Sequence, residues 1–278
     1  SSTAEETALK ITLHPAPEPR PALKYRLLPA MPDLIQGNAA VYYGKVTAEQ
    51  PLYHNNEILN KIYKWSRVTP FEELRRDKVY DQVRRFNFHR YLGPVSRCEY
   101  CDWQLPVEKG NYYSVLIPEI QQARQFARCL VAQARAEIAE GKFDEAIRTL
   151  EIGYALGRHT AESETMVSGL VGLAICGNMS RPIQDLVQQP GAPNLYWALS
   201  RLPRPLVDIR RGLEAEMNGV YWSFPELRDA ENSTQDAEYW RKTLLEFWEE
   251  FVHWMGGSPW QSERPESLTA VCIKGYPM

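Results

Sequence analysis

Between Pro118 and Met179 the chain carries three runs of helical periodicity joined by connections of only a few residues, which forces neighbouring helices to pack side by side. Pro118 and Glu119 open the first run, and a proline in the first turn loses no helical hydrogen bond. Ile120, Ala123, Ala127, Leu130, Ala134 and Ile138 then recur at threes and fours, with Phe126 and Val131 widening the stripe. Arg124, Arg128, Arg135 and Glu137 fall off it and are expected to reach water. Gly141 ends the run, as glycine does where the chain turns through positive φ. A second helix starts near Phe143, with Phe143, Ile147, Leu150 and Tyr154 on its apolar face and Ala146 between them. Asp144 and Arg148 stand four apart in the favourable order, worth about 0.3 kcal/mol. From Glu162 to Met179 the stripe reads Met166, Leu170, Leu173, Ala174 and Gly177, interleaved with Gly169, Gly172 and Cys176. Each glycine costs a helix about 1 kcal/mol relative to alanine, which points to another backbone packing close by and to a buried central helix. This apolar run is too short and too glycine-rich for a membrane span, which takes about 20 apolar residues.

The segment Gly141-Lys-Phe-Asp-Glu-Ala146 resembles the turn of a tetratricopeptide hairpin, where a small residue lets two helices approach. Leu150 stands where that motif has an aromatic residue, and the first helix lacks the motif's Leu-Gly pair. No second copy follows at a spacing of about 34 residues, so a single hairpin inside a larger helical domain is expected rather than an array.

The chain has 278 residues, of which 44% are hydrophobic, enough for one large domain or two small ones. Net charge is −3, from 32 basic and 35 acidic residues, so a nucleic-acid binder with a basic face is not expected. Arg75, Arg76, Arg84 and Arg85 form the densest basic cluster, interleaved with Tyr80 and Phe86, and read as a solvated helix face. A start at Ser1 rather than methionine is expected from removal of a signal peptide or from a cloning boundary. The region Pro265–Ile273 reads as a new helix close to the end, so the chain is expected to continue in a longer polypeptide.

Residues 1–36 alternate Pro15, Pro17, Pro19 and Pro21 with other residues, which favours an extended polyproline-like strap. Leu23, Tyr25, Leu27 and Leu28 would lay it along the domain. Residues 37–278 read as one helical domain. Asn55 or Asn56 caps a helix bearing Ile58, Leu59, Ile62 and Tyr63, and residues 71–91 carry Phe71, Leu74, Val79 and Val83 on a further, interrupted helix. Past the centre, Asn194 caps a short helix, and Leu206, Ile209, Leu213 and Met217 mark one face of another. Ser233 or Thr234 caps a final helix from Gln235 to Met255, closed by Gly256 and Gly257. No sustained period-two run is bounded by hairpin turns, so no strand ladder is expected.

Cys98 and Cys101 form the sharpest local motif. A redox CxxC opens a helix after a strand, and that context is missing; haem attachment needs a following histidine, and Asp102 stands there. The pair is open to a local disulfide, plain thiols, or a metal site with His89 nearby. Cys129 and Cys176 lie on apolar helix faces and read as small hydrophobes. His159, close to Glu162 and Glu164, is a candidate base or ligand, or a residue that satisfies helix-terminal carbonyls. No HExxH, GxSxG, Walker A or GxGxxG motif occurs, and no cofactor site is legible. Six of the eight tryptophans fall between Trp197 and Trp260. On the last helix Trp240, Leu244, Phe247, Phe251 and Trp254 form a stripe widened by Trp248, Val252 and Met255. So broad an aromatic face is either core or partner surface, which makes Trp240, Phe247, Trp248, Phe251 and Trp254 candidate partner-binding residues. Glu249 and Glu250 lie on the charged side and read as solvation.

Several stretches together carry a family resemblance: Tyr25-Arg-Leu-Leu-Pro29, Gly37-Asn-Ala-Ala40, Cys98-Glu-Tyr-Cys-Asp-Trp103, Gln188-Gln-Pro-Gly-Ala-Pro-Asn-Leu-Tyr-Trp-Ala198 and Leu202-Pro-Arg-Pro-Leu-Val-Asp-Ile209, with the hairpin turn above. Over most of its length the chain resembles a family of uncharacterised planctomycete proteins whose members look exported and often run longer. No activity comes with that resemblance. It implies a removed signal peptide and an oxidising compartment, and with them a disulfide or structural use of Cys98 and Cys101. The expectation is an all-α, irregular helical-hairpin (TPR-like) domain with an extended proline-rich strap. Its role would be a non-catalytic scaffold or interaction module outside the cytoplasm, with a protein partner or self-association. The alternative is an enzyme or small-ligand binder with a cleft between the Cys98–Tyr113 loop and the central helices.

Overall fold

The computed structural model describes residues 12–49, 56–67, 69–74, 87–107 and 112–254. The expectations for Arg75, Arg76, Val79, Tyr80, Val83, Arg84, Arg85 and Phe86, for Asn55 as a cap, and for everything past Trp254 fall outside them. The described chain is mostly helical. In order its elements are β1 (Ile35–Asn38), α1 (Ala39–Glu49), α2 (Asn56–Arg67), α3 (Phe71–Leu74), α4 (Phe88–Ser96), β2 (Cys98–Tyr100), α5 (Pro118–Ala139), α6 (Phe143–Ala161), α7 (Met166–Val187), α8 (Tyr196–Ser200), α9 (Arg210–Ser223) and α10 (Ala237–Trp254). Short 3-10 turns lie at Met31–Asp33, Tyr112–Ser114 and Pro225–Asn232.

The backbone divides into two compact units, Ser1–Gln104 with Ile117–Glu214, and Leu105–Leu116 with Ala215–Met278. The first is built on α5, α6 and α7, each packed on the other two, with α2 and α3 against α5 and α4 against α6. Its hairpin turn closes as a Schellman motif. Gly141 takes φ +75°, its N–H donates to Ile138 O, and Lys142 N–H donates to Glu137 O, both at 2.9 Å. Thr165 caps α7 by accepting from Ser168 N–H at 3.1 Å, so the helix opens at Met166 rather than at Glu162. Residues 12–34 hold no α-helix; Asn194 Nδ2 donates to Ala16 O, Trp197 Nε1 donates to Glu18, and Leu27 is buried in the core.

Close backbone approach decides which face of α7 goes inside. A Cβ on Gly172 would lie 2.5 Å from Gly157 O, and one on Gly157 would lie 2.5 Å from Cys176 Sγ. Gly169, Gly172, Ile175, Cys176 and Met179 therefore form the packed face. The stripe expected to be buried turns outward instead: Leu170 is 53% and Leu173 42% exposed, and Ala174 and Gly177 are exposed beside them. The face expected from Leu206 to Met217 is split: Leu206 and Ile209 pack against the core, but within α9 the small residues go inside. Gly212, Ala215 and Gly219 are buried, whereas Leu213 is exposed and Met217 is 74% exposed.

Two further expectations fail for related reasons. Arg135 and Glu137 lie inside, because every residue of α5 from Cys129 to Ala139 is buried under the helices packed on it. Arg135 Nε donates to Asp185 Oδ2 at 2.6 Å and its Nη2 donates to Thr69 O at 3.0 Å, so its charge is matched where it is buried. A strand pair is also present: β1 and β2 run parallel, Ile35 opposite Cys98 and Asn38 opposite Tyr100. These segments have three and four residues, too short to register as alternation.

In the second unit Val107, Tyr112 and Ala215 form a small core with Trp222 packed on it, and α10 lies beside the Tyr112–Ser114 turn. Asp236 caps α10 by accepting from Tyr239 N–H at 2.8 Å; Ser233 instead accepts from Gln235 N–H upstream of the helix.

Two alanine substitutions in α7 test the inversion. Gly172→Ala is expected to lose about 1–3 kcal/mol, because its methyl group meets Gly157 O with nowhere to go. Gly177→Ala, with open space at its Cβ, is expected to gain about 1 kcal/mol. Urea unfolding of both variants gives the two signs.

Candidate functional site

The cysteine loop and the end of α6 meet in one buried cluster. His159 is 5% exposed, and its ring is held at both nitrogens. Nε2 stands 3.2 Å from Cys98 O and Nδ1 stands 3.0 Å from Tyr43 Oη. A carbonyl only accepts, so Nε2 carries the proton and Nδ1 accepts from the Tyr43 hydroxyl. The ring thus ties β2 and α1 to α6 and does not cap the terminal carbonyls of its own helix. The His159 carbonyl accepts from Trp103 Nε1 at 3.1 Å, and Trp103 stacks on Tyr43 with ring centroids 5.7 Å apart. Glu162 Oε2 accepts from Cys101 N–H at 2.6 Å. Asn38 completes the latch, donating through Nδ2 to Asp102 O and accepting through Oδ1 from Asp102 N–H.

The electrostatics of this cluster favour neutral groups. Burial pushes His159 down to about 4, against the smaller upward pull of its bond to Cys98 O. Burial raises Tyr43 well above the ordinary tyrosine value and raises both thiols, with Glu162 adding to the rise at Cys101. Cys98 and Cys101 are held here as buried thiols, the opposite of the low-pKa, accessible environment of a reactive cysteine. Cys129 and Cys176 are buried thiols too, pushed up to about 12 by burial. Among the described residues no group of three His, Cys, Asp or Glu is placed to hold a metal ion; His89 belongs to a different cluster.

That second cluster escaped the sequence reading. Thr149 of α6 donates to Glu137 Oε2 at 2.7 Å, Gln133 Nε2 donates to Glu137 Oε1 at 2.6 Å, and His89 Nε2 of α4 lies 2.6 Å from Thr149 Oγ1. Burial raises Glu137 to about 7, against the bonds from Gln133 and Thr149. Burial and Arg148 lower His89. Thr149 is fully buried, so no substrate reaches it as a nucleophile, and the chain of bonds serves to join α4, α5 and α6. No local signal marks it: Gln133 and Glu137 stand among small residues of α5, and only the helices packed on it close their route to water.

Of the aromatic stripe on α10, Trp240 and Trp248 are half-buried, and Trp240 meets Tyr239 edge to face at 5.3 Å. The side chains of Phe247, Phe251 and Trp254 lie outside those described.

The first unit carries an open groove of about 430 Å³ between α2, α5 and α7. Its floor holds Val131, Val171 and Ile175, and its walls carry Arg124 and Arg128 of α5, Arg181 of α7 and Tyr63 of α2. The Arg128 guanidinium lies over the Tyr63 ring at 4.7 Å from its centroid. Val167, Leu170, Ala174, Asn178 and Arg181 recur at threes and fours, so the exposed aliphatic row of α7 runs along the same helix face into the groove. Among the described residues no helix is long and apolar enough to cross a membrane.

Comparison with known proteins finds no matching family, no matching curated protein and no matching solved structure.

The two buried clusters predict opposite pH dependences. Glu137 keeps in the native state a proton that the unfolded chain gives up above 4.5, so native stability falls as pH rises from about 5 to 8. Relative to Glu137→Gln the fall is roughly 3 kcal/mol. His159 stays neutral in the native state while the unfolded chain takes up a proton below 6.5, so stability falls as pH drops from 6.5 to about 4. Relative to His159→Gln that fall is also roughly 3 kcal/mol. Unfolding free energies of wild type and each variant, measured across pH 4–8, give the two difference curves.

Proposed function

We propose that this chain is a non-catalytic helical interaction module acting outside the cytoplasm. The observation that carries the interaction role is the outward face of α7, where Val167, Leu170 and Leu173 present a row of aliphatic side chains to solvent. Single exposed apolar residues are ordinary, but a row at helical spacing that leads into a groove is a docking surface. The aromatic stripe of α10, through Trp240 and Trp248, is the second surface that such a role would use. A non-catalytic role is supported by the state of the candidate chemistry: His159 has both nitrogens engaged, Thr149 is covered, and the thiols of Cys98 and Cys101 are raised. The alternative, a catalytic cleft at the cysteine loop, would need His159 to give up the bonds that hold that loop. Location outside the cytoplasm rests on the resemblance to exported proteins.

A photo-crosslinking residue in place of Leu170 tests the surface. Adducts with another protein are expected there, lost when Leu173→Asp is added and absent when the probe replaces the exposed Glu49 instead. Equal yield at both positions, or no adduct at Leu170, rejects the role. Fractionation of native cells that recovers the chain only from cytoplasm rejects the location.

A further inference from the structure

We infer, resting on the interaction role above, that the α2–α5–α7 groove takes an acidic, leucine-bearing helical segment of a partner protein. The whole chain carries net charge −3, yet the groove carries Arg124, Arg128 and Arg181 and no acidic residue among those described. The positive charge is therefore a local feature rather than an overall bias. Among the described residues no acid pairs with these cations: Arg124 bonds Gln121 Oε1 at 3.4 Å, Arg128 rests on Tyr63, and Arg181 has no ion pair.

The spacing names the partner's geometry. Arg124 and Arg128 stand four residues apart, about 6 Å along α5, the spacing at which a second helix presents carboxylates four residues apart. Across the groove Arg181 gives a third contact from α7. Guanidinium groups bind carboxylates through paired hydrogen bonds and fix the orientation of what they hold. Val131, Val171 and Ile175 are buried at the base of the groove, and the exposed apolar surface beside the cations is the row of Val167 and Leu170. A small inorganic anion would leave that apolar surface uncovered, and a nucleic-acid backbone would gain nothing from it. An amphipathic helix with acidic residues flanking leucines covers both, by the helix-in-groove mode.

The test uses the full chain and three synthetic helical peptides of about 16 residues. The first carries leucines at helical spacing flanked by glutamates, the second has lysine at each glutamate position, and the third keeps the glutamates but has serine for leucine. Fluorescence anisotropy is expected to show binding of the first alone, weakening as salt is raised. The combined Arg124→Gln, Arg128→Gln, Arg181→Gln variant is expected to weaken it about ten- to hundred-fold. These side chains are exposed, so circular dichroism and the unfolding midpoint should match wild type. If the lysine peptide binds as tightly and Leu170→Asp weakens both, the docking face stands and its acidic specificity is overturned. If the serine peptide, inorganic phosphate or a single-stranded oligonucleotide competes as well as the first peptide, the groove is an anion site and the proposal is overturned. If no peptide binds and Leu170→Asp changes nothing, the docking face falls with it.

Discussion

The contact between Gly157 and Gly172 is the constraint from which the rest of the first unit follows. Two helix backbones approach until a carbonyl oxygen occupies the space where a methyl group would stand. That approach brings Cys176 and Met179 against α6 and seats α5 across both helices. It also rotates α7 so that its larger aliphatic residues, Leu170 and Leu173, have no room inside. Glycine weakens an isolated helix, yet here the loss is offset by dispersion contacts that only bare backbones can make. The exposed row and the groove beside it are consequences of the same rotation.

Around this pair the interior holds more polar chemistry than an all-helical core requires, and its charged and imidazole groups have structural partners. Arg135 joins α5 to α7 through Asp185 and reaches Thr69. Glu137, Thr149 and His89 join three helices. His159 holds the cysteine loop through a backbone carbonyl and a tyrosine hydroxyl. Buried donors and acceptors left unpaired are costly, so these networks specify one arrangement of the helices more sharply than apolar contact alone. The groups with the most reactive-looking chemistry are thereby committed to the fold, and the open, cationic groove shares no lining residue with them.

Particular residues show where the sequence was legible. Gly141 announced the turn because positive φ has few other occupants, and the period of Ile120, Ala123, Ala127, Leu130 and Ile138 marked a face that is buried. The burial of Glu137 and Arg135 was not legible in α5 itself, which also carries Arg128 and Gln133 nearby, and follows from the helices packed on it. The parallel pairing of Ile35–Asn38 with Cys98–Tyr100 was not legible, because a pair of very short strands far apart in sequence leaves no alternation to count. His159 was found as a candidate, but its partners Tyr43 and Cys98 lie 116 and 61 residues away, and neither spacing carries a signal.

Periodicity, turn chemistry and composition by themselves determined that this chain is helical, where its central hairpin turns, and that no membrane-spanning helix occurs among the described residues. Those properties are local, set by neighbours within one or two turns. Only the tertiary structure decided which of two small or apolar stripes on α7 and α9 faces inward. Hydrophobicity ranks Leu170 and Met217 above Gly172 and Gly219, whereas packing ranks them by how close another backbone or ring must come. That reversal gathers Arg124, Arg128 and Arg181 from two helices around one groove, a grouping that no single stretch of sequence contains.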